Sequence, residues 1–138
     1  MEINIDDNTT IAEIQTEFNK HFPFLKLEFF EYNPLEKMVF TRDNLIIDTK
    51  QVLRKIRHIH IPGHINLNGH IKVSSFENNF RENFGLNIQV FRKSGNAWLQ
   101  TTSTDNWTLA EQNKKGEEMN TPINKATSSD FEEYNEMR

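Results

Sequence analysis

VSSFENNFRENFGLNIQVFRKSGNAWLQTT, residues 73–102, passes through a single glycine from a helical spacing of apolar side chains into an alternating one. Val73, Phe76, Phe80 and Phe84 are separated by steps of three, four and four, which stacks four large side chains on one stripe of an α-helix. Gly85 ends that pattern, as a glycine that tolerates positive φ does at a helix C-terminus. Leu86, Ile88 and Val90 then alternate with Asn87, Gln89 and Phe91, and Ser94-Gly95-Asn96 reads as the turn of a hairpin whose return strand carries Trp98 and Leu99.

The same order occurs earlier in the chain. Residues 2–5 read as a short strand and Asp6-Asp7-Asn8-Thr9 as a turn. Thr10 and Glu13 have capping-box spacing, and Ile11, Ile14, Phe18 and Phe22 repeat the steps of three, four and four up to Pro23. Leu25, Leu27 and Phe29 alternate with Lys26, Glu28 and Phe30, and Tyr32-Asn33-Pro34-Leu35 reads as a turn into a strand over residues 37–41.

Laid over each other, EINIDDNTTIAEIQTEFNKHF from Glu2 and HINLNGHIKVSSFENNFRENF from His64 align at a constant offset of 62. Ile3, Asn4, Phe18 and Phe22 meet identical residues. After one inserted residue near Phe24, LKLEFF lies over LNIQVF, and Asp43-Asn44-Leu45 lies over Asp105-Asn106-Trp107 at the first offset. Two copies of strand, helix, strand, strand are expected. The competing explanation is that any two such units share apolar spacing. Between the copies, DTKQVLRKIR (residues 48–57) reads as a short helix, with WTLAEQNKKG as its counterpart, Trp107 its buried anchor and Gly116 its stop. Residues 58–61 alternate as a strand before Pro62-Gly63.

The expected fold is α+β: two related βαββ units, helices packed on a mostly antiparallel sheet, a right-handed crossover joining the first two strands of each unit, and a short C-terminal tail. The domain spans residues 1–116, divided at 57/58 if duplicated, and an acidic tail spans 117–138. That tail carries six acids against Lys125 and Arg138, which accounts for the whole net charge of −4 and leaves a neutral body. Ser129 and Glu132 permit a last short helix bearing Phe131 and Tyr134. Eleven Phe and two Trp supply the core of the 138-residue chain despite a hydrophobic fraction of only 36%. No stretch approaches the roughly 18 to 20 apolar residues of a membrane span, and MEINIDDN lacks the basic-then-apolar character of a secretory signal. The absence of cysteine excludes disulfides and thiolate chemistry and fits a reducing cytoplasm, the expected location.

One resemblance attaches to FGLNIQVFRKSGNAWLQTT and TDNWTLAEQN. Together they resemble a family of small uncharacterised bacterial proteins ending in an FGL-x-[IV]-QVFR strand, an SG turn, a tryptophan and [DN]-[DN]-WTL-x-x-QN. TIAEIQTEF and FLKLEFF look similar as well. The resemblance implies membership and lends no activity.

Chemistry is sparse. His58 and His60, two apart on an expected strand, have HxH geometry for zinc, with His64 and His70 near, but no carboxylate has matching spacing, and lining a solvated sheet face explains them better. Arg54, Lys55, Arg57, Arg92 and Lys93, with Lys50, His58, Phe91 and Trp98, form a basic and aromatic set able to stack unpaired bases and hold their phosphates. A body without net positive charge argues against it. No GxSxG, phosphate-cradling glycine loop or HExxH occurs, and Asp43-Asn44 and Asp105-Asn106 read as helix caps, so catalysis and cofactors are not expected. The leading reading is a non-catalytic binding or interaction module whose partner is a protein or a second copy. The alternative is a single-stranded nucleic-acid-binding protein.

Overall fold

The computed structural model describes residues 1–32 and 40–120. Its regular elements are β1 (Glu2–Ile5), α1 (Ile11–His21), β2 (Leu25–Phe30), β3 (Gly63–Asn66), α2 (Val73–Phe84), β4 (Asn87–Ser94), β5 (Ala97–Gln100) and α3 (Leu109–Met119), with 3₁₀ turns at Arg42–Asn44, Leu53–Lys55 and Thr102–Thr104. The class is α+β, as expected.

Local chemistry sets the ends of α1 and α2. At α1 the Glu13 amide donates to Thr10 Oγ1 (3.1 Å) while the Thr10 amide donates to Glu13 Oε1 (3.0 Å), a complete capping box. At the far end of α2, Gly85 takes φ 64°, and the Gly85 and Leu86 amides close onto the carbonyls of Arg81 and Phe80. Ile59 lies 3.2 Å from where a Gly85 Cβ would be, so this position demands glycine sterically as well as conformationally.

The sheets differ from the expected crossover arrangement. β1 pairs antiparallel with β3, while β2 pairs antiparallel with β4 and β4 with β5, so the strands flanking α1 lie in two different sheets. α1 and α2 therefore each connect the two sheets. Ile3, Ile5 and Ile65 of the β1–β3 ribbon, Leu67 just beyond it, the helix stripes, and Leu25, Leu27, Phe29, Ile88 and Val90 form one continuous core. Phe18 of α1 meets Phe76 of α2 at 5.4 Å between ring centres, and Phe80 meets Phe29 at 6.4 Å.

The two units share their joints. Ile11 N donates to Gln51 O, Ala12 N to Thr49 O, Leu53 N to Thr9 O and Arg54 N to Asp7 O. The second unit repeats this with Val73 N to Trp107 O, Ser74 N to Asp105 O, Leu109 N to Ile71 O and Ala110 N to Gly69 O. Asp6 and Asn68 likewise build equivalent turns, accepting through Oδ1 from Asn8 N (2.7 Å) and His70 N (2.8 Å). Both central pairings also join equivalent residues: Ile3 opposite Ile65, and Glu28 opposite Gln89.

These joints correct the reading of the connectors. Gln51, not Leu45, is the counterpart of Trp107, so the matching Asp-Asn pairs are not structurally equivalent. Thr108 and Glu111, rather than Asp105-Asn106, cap α3. Asp43 lies in the Arg42–Asn44 turn, which has no side-chain cap bond. Residues 48–57 form only the Leu53–Lys55 turn instead of a helix, and 58–61 form no strand. Leu109, fully buried, anchors α3, with Trp107 half-buried. Gly116 does not stop that helix. A Cβ there would lie 2.8 Å from Phe24 Cβ and 3.1 Å from its carbonyl oxygen, so glycine is needed to let α3 approach the start of β2. The expected strand over 37–41 falls mostly outside the described residues, as do Phe131 and Tyr134, while Phe40 and Thr41 are not in a strand.

Candidate interaction surface

The three-stranded sheet turns Leu25, Leu27, Phe29, Ile88, Val90 and Arg92 toward the helices. By alternation, Lys26 and Glu28, Gln89, Phe91 and Lys93, and Trp98 and Gln100 lie on the other face. No helix covers it among the described residues. Phe91 and Trp98 are half-exposed there, with Lys26 Nζ 5.0 Å from the Trp98 ring centre and 5.8 Å from that of Phe91, and Lys93 Nζ 5.9 Å from Trp98. Glu28 accepts a 3.2 Å ion pair from Lys26. Phe30, by contrast, is buried against Phe40 at 5.3 Å.

Beside this face, along the edge of β2, runs a groove of about 720 Å³ whose walls include Gln15, Asn19, Lys20, Ile47 and Trp98. The strand edge beneath it is satisfied by side chains: Asn19 Nδ2 donates to Leu25 O (2.8 Å) and Gln15 Nε2 to Leu27 O (2.9 Å). Ile47, 83% exposed, projects at its margin.

Only part of the anticipated basic set reaches this surface. Lys93 and Trp98 do. Arg92, the next residue along β4, points inward, fully buried, donating to Gln112 Oε1 at 2.9 Å and lying 5.5 Å from the Trp107 ring centre. Strand alternation separates it from Lys93. Arg57 is also buried: Nε and Nη2 bind Asp7 Oδ1 (3.1 and 2.9 Å) and Nη1 binds the carbonyls of Ile61 (3.2 Å) and Phe84 (3.4 Å). It ties the first turn, the connector and the end of α2 together. Arg54 and Lys55 are exposed on the 3₁₀ turn, Arg54 donating to Asn8 Oδ1, and Lys55 lines a separate cleft with Tyr32, Ile47 and His58. The expected continuous basic face is therefore not assembled. Lys26, which the same alternation argument places beside Phe91, is the cation that sequence reasoning missed.

The histidine pair is likewise divided. His60 Nδ1 lies 2.9 Å from Asp7 Oδ2, whereas the His58 ring packs on Tyr32 at 5.0 Å. Off a regular strand, the two rings have separate partners, and no group of three or more potential metal ligands occurs among the described residues. Partial burial acts to raise the Asp7 carboxyl, but hydrogen bonds from His60 and Arg57 outweigh it and hold the group below its ordinary value. Replacing Arg57 with alanine should leave two main-chain carbonyls and Asp7 short of their donor. The expected loss is about 2 kcal/mol, since Asp7 can still reach water. Urea unfolding measures the loss, and NMR titration of Asp7 should show its pKa moving upward.

A buried carboxyl that sequence reasoning passed over lies at the opposite edge of the sheet. β5 leaves β4 beyond Phe91, and the exposed ladder position at Val90 is taken over by Glu77 Oε2, accepting from Val90 N (2.9 Å), and by Thr101, whose amide and Oγ1 donate to Val90 O. Glu77 is the positional equivalent of Gln15, so both helices clamp a strand edge from the same site with a side chain chosen for the group presented. Burial, reinforced by the charge of Asp105, pushes the Glu77 carboxyl up to about 7 despite the Val90 hydrogen bond. The adjoining cleft of about 210 Å³ is lined by Ser74, Asn78, Arg81, Gln89, Thr102 and Asp105. No helix among the described residues is long and apolar enough to cross a membrane. No protein-family model, curated protein or solved structure matches the chain, so the functional reading rests on its own residues.

Proposed function

We propose that this protein is a non-catalytic interaction module that engages a protein partner through the outer face of the β2–β4–β5 sheet. The observation that carries the reading is the half-exposed pair Phe91 and Trp98, bracketed by Lys26 and Lys93, on a face no described helix covers. Aromatic anchors are enriched at the centre of an interface and polar or charged groups at its rim. The repeated joints support an internal duplication at 57/58, with the second copy elaborated by β5 and α3. Lack of cysteine supports a cytoplasmic setting.

The test is copurification from the protein's own cells with the natural chain and with Trp98→Ala, a half-exposed position where truncation should leave the circular dichroism spectrum unchanged. A protein partner that is lost with Trp98→Ala is expected. One retained equally by both chains overturns the reading. Single-stranded nucleic acid is the second reading, favoured only by the same rings and lysines, since Arg57 and Arg92 are occupied inside the fold. It requires oligonucleotide binding that weakens steeply with salt.

A further inference from the structure

We infer that the chain's own C-terminal segment, residues 121–138, docks on this sheet face and its bordering groove. The inference rests on the interaction-face reading above. Three observations point to this occupant. The described chain ends beside the face, because Asn120, which follows α3, donates from Nδ2 to the main-chain carbonyl of Lys93 at 3.2 Å, and Lys93 sits opposite Trp98 in the β4–β5 ladder. The segment is acidic, Asp130, Glu132, Glu133 and Glu136 outnumbering Lys125 and Arg138, whereas Lys20, Lys26 and Lys93 outnumber Glu28 along the groove and the rings, with Lys26 paired to Glu28 and Lys20 to Glu17. Its acids are interleaved with Phe131 and Tyr134, which suit the apolar wall made by Trp98, Leu45 and Ile47.

Reach is ample. Phe131 comes eleven residues after Asn120 and can extend about 36 Å from it. A tether of this length places the aromatic segment at an effective concentration in the mM range, so contacts too weak to hold a separate peptide suffice. Phe131 and Tyr134 would lie against Trp98 and Ile47, with the intervening acids toward Lys20, Lys26 and Lys93.

The absence of cysteine makes a direct test simple. A nitroxide attached at Ser128→Cys in the full chain reports which amides lie near the tail by paramagnetic broadening. Selective broadening at Lys26, Ile47, Phe91, Lys93 and Trp98 is expected, with the β1–β3 ribbon unaffected. It should vanish in Phe131→Ala/Tyr134→Ala, and fade with Lys26→Glu or at about 0.5 M salt, where screening reaches only a few ångström. Absent or non-selective broadening, or broadening that survives the double substitution, overturns the proposal. So does broadening seen only when unlabelled-nitrogen spin-labelled chains are mixed with ¹⁵N chains, which would place the tail on a second copy. The label needs no partner. A negative result therefore removes the docked tail and leaves the copurification test intact, whereas a partner indifferent to Trp98→Ala removes the interface reading with the broadening unchanged.

Discussion

Phe80→Ala is expected to lower the free energy of unfolding by about 3 to 5 kcal/mol, and Phe18→Ala by a similar amount. Both rings are fully buried at equivalent positions of the two helices. Phe80 packs against Phe76 at 5.2 Å and Phe29 at 6.4 Å, and Phe18 against Phe22 at 5.3 Å and Phe76 at 5.4 Å. Each ring is enclosed by other large side chains of one continuous core, so most of the cavity cost should appear. A loss of that size is a large share of the stability of a domain this small. Phe131→Ala, in the acidic tail, should shift the urea midpoint little, because a tethered contact can dissociate without unfolding the core. If Phe80→Ala and Phe131→Ala had equal midpoints, or if Phe18→Ala and Phe80→Ala differed widely, the two helices would not be playing equivalent parts.

The second large effect is a pH dependence set by Glu77. Its carboxyl is raised from an ordinary 4.5 to about 7 in the folded chain, so the native state holds this proton more tightly than the unfolded one. Its contribution to stability is therefore complete below about pH 4.5 and is lost as pH rises to about 7. The full span is on the order of 3 kcal/mol, from about 1.4 kcal/mol per unit. Glu77→Gln keeps an oxygen to accept from Val90 and cannot ionise. It should flatten the curve of stability against pH over this window and be more stable than the natural chain at pH 8. Parallel curves for the two proteins would show that Glu77 is not the group responsible. The Asp7 carboxyl, held low by His60 and Arg57, acts with the opposite sign and only as pH falls below the ordinary carboxylate range, so the two effects do not overlap.

Much of this architecture is legible in the chain because its determinants are local. The steps of three, four and four place Ile11, Ile14, Phe18 and Val73, Phe76, Phe80 on buried stripes, the Thr10–Glu13 spacing forms its capping box, and Gly85 adopts the left-handed turn that its position suggests. These depend on contacts within one helical turn, which a short window of sequence contains. The offset of 62 also locates equivalent turns and helices, because the two units solve the same local problem twice.

What only the tertiary structure decides is where each local element finds its partner. β1 pairs with β3 and β2 with β4 across some sixty residues, so the strands of each unit part into two sheets, an outcome no spacing encodes. The Asp-Asn match misleads for the same reason: identity at 43–44 and 105–106 is weaker than the main-chain hydrogen bonds that set Gln51 opposite the role of Trp107. Arg57 and Arg92 look like surface cations from their neighbours in sequence. They are drawn inside because main-chain carbonyls, Asp7 and Gln112, remote along the chain, converge to satisfy them, and a buried cation is stable only where such donors' partners have already been gathered by the fold.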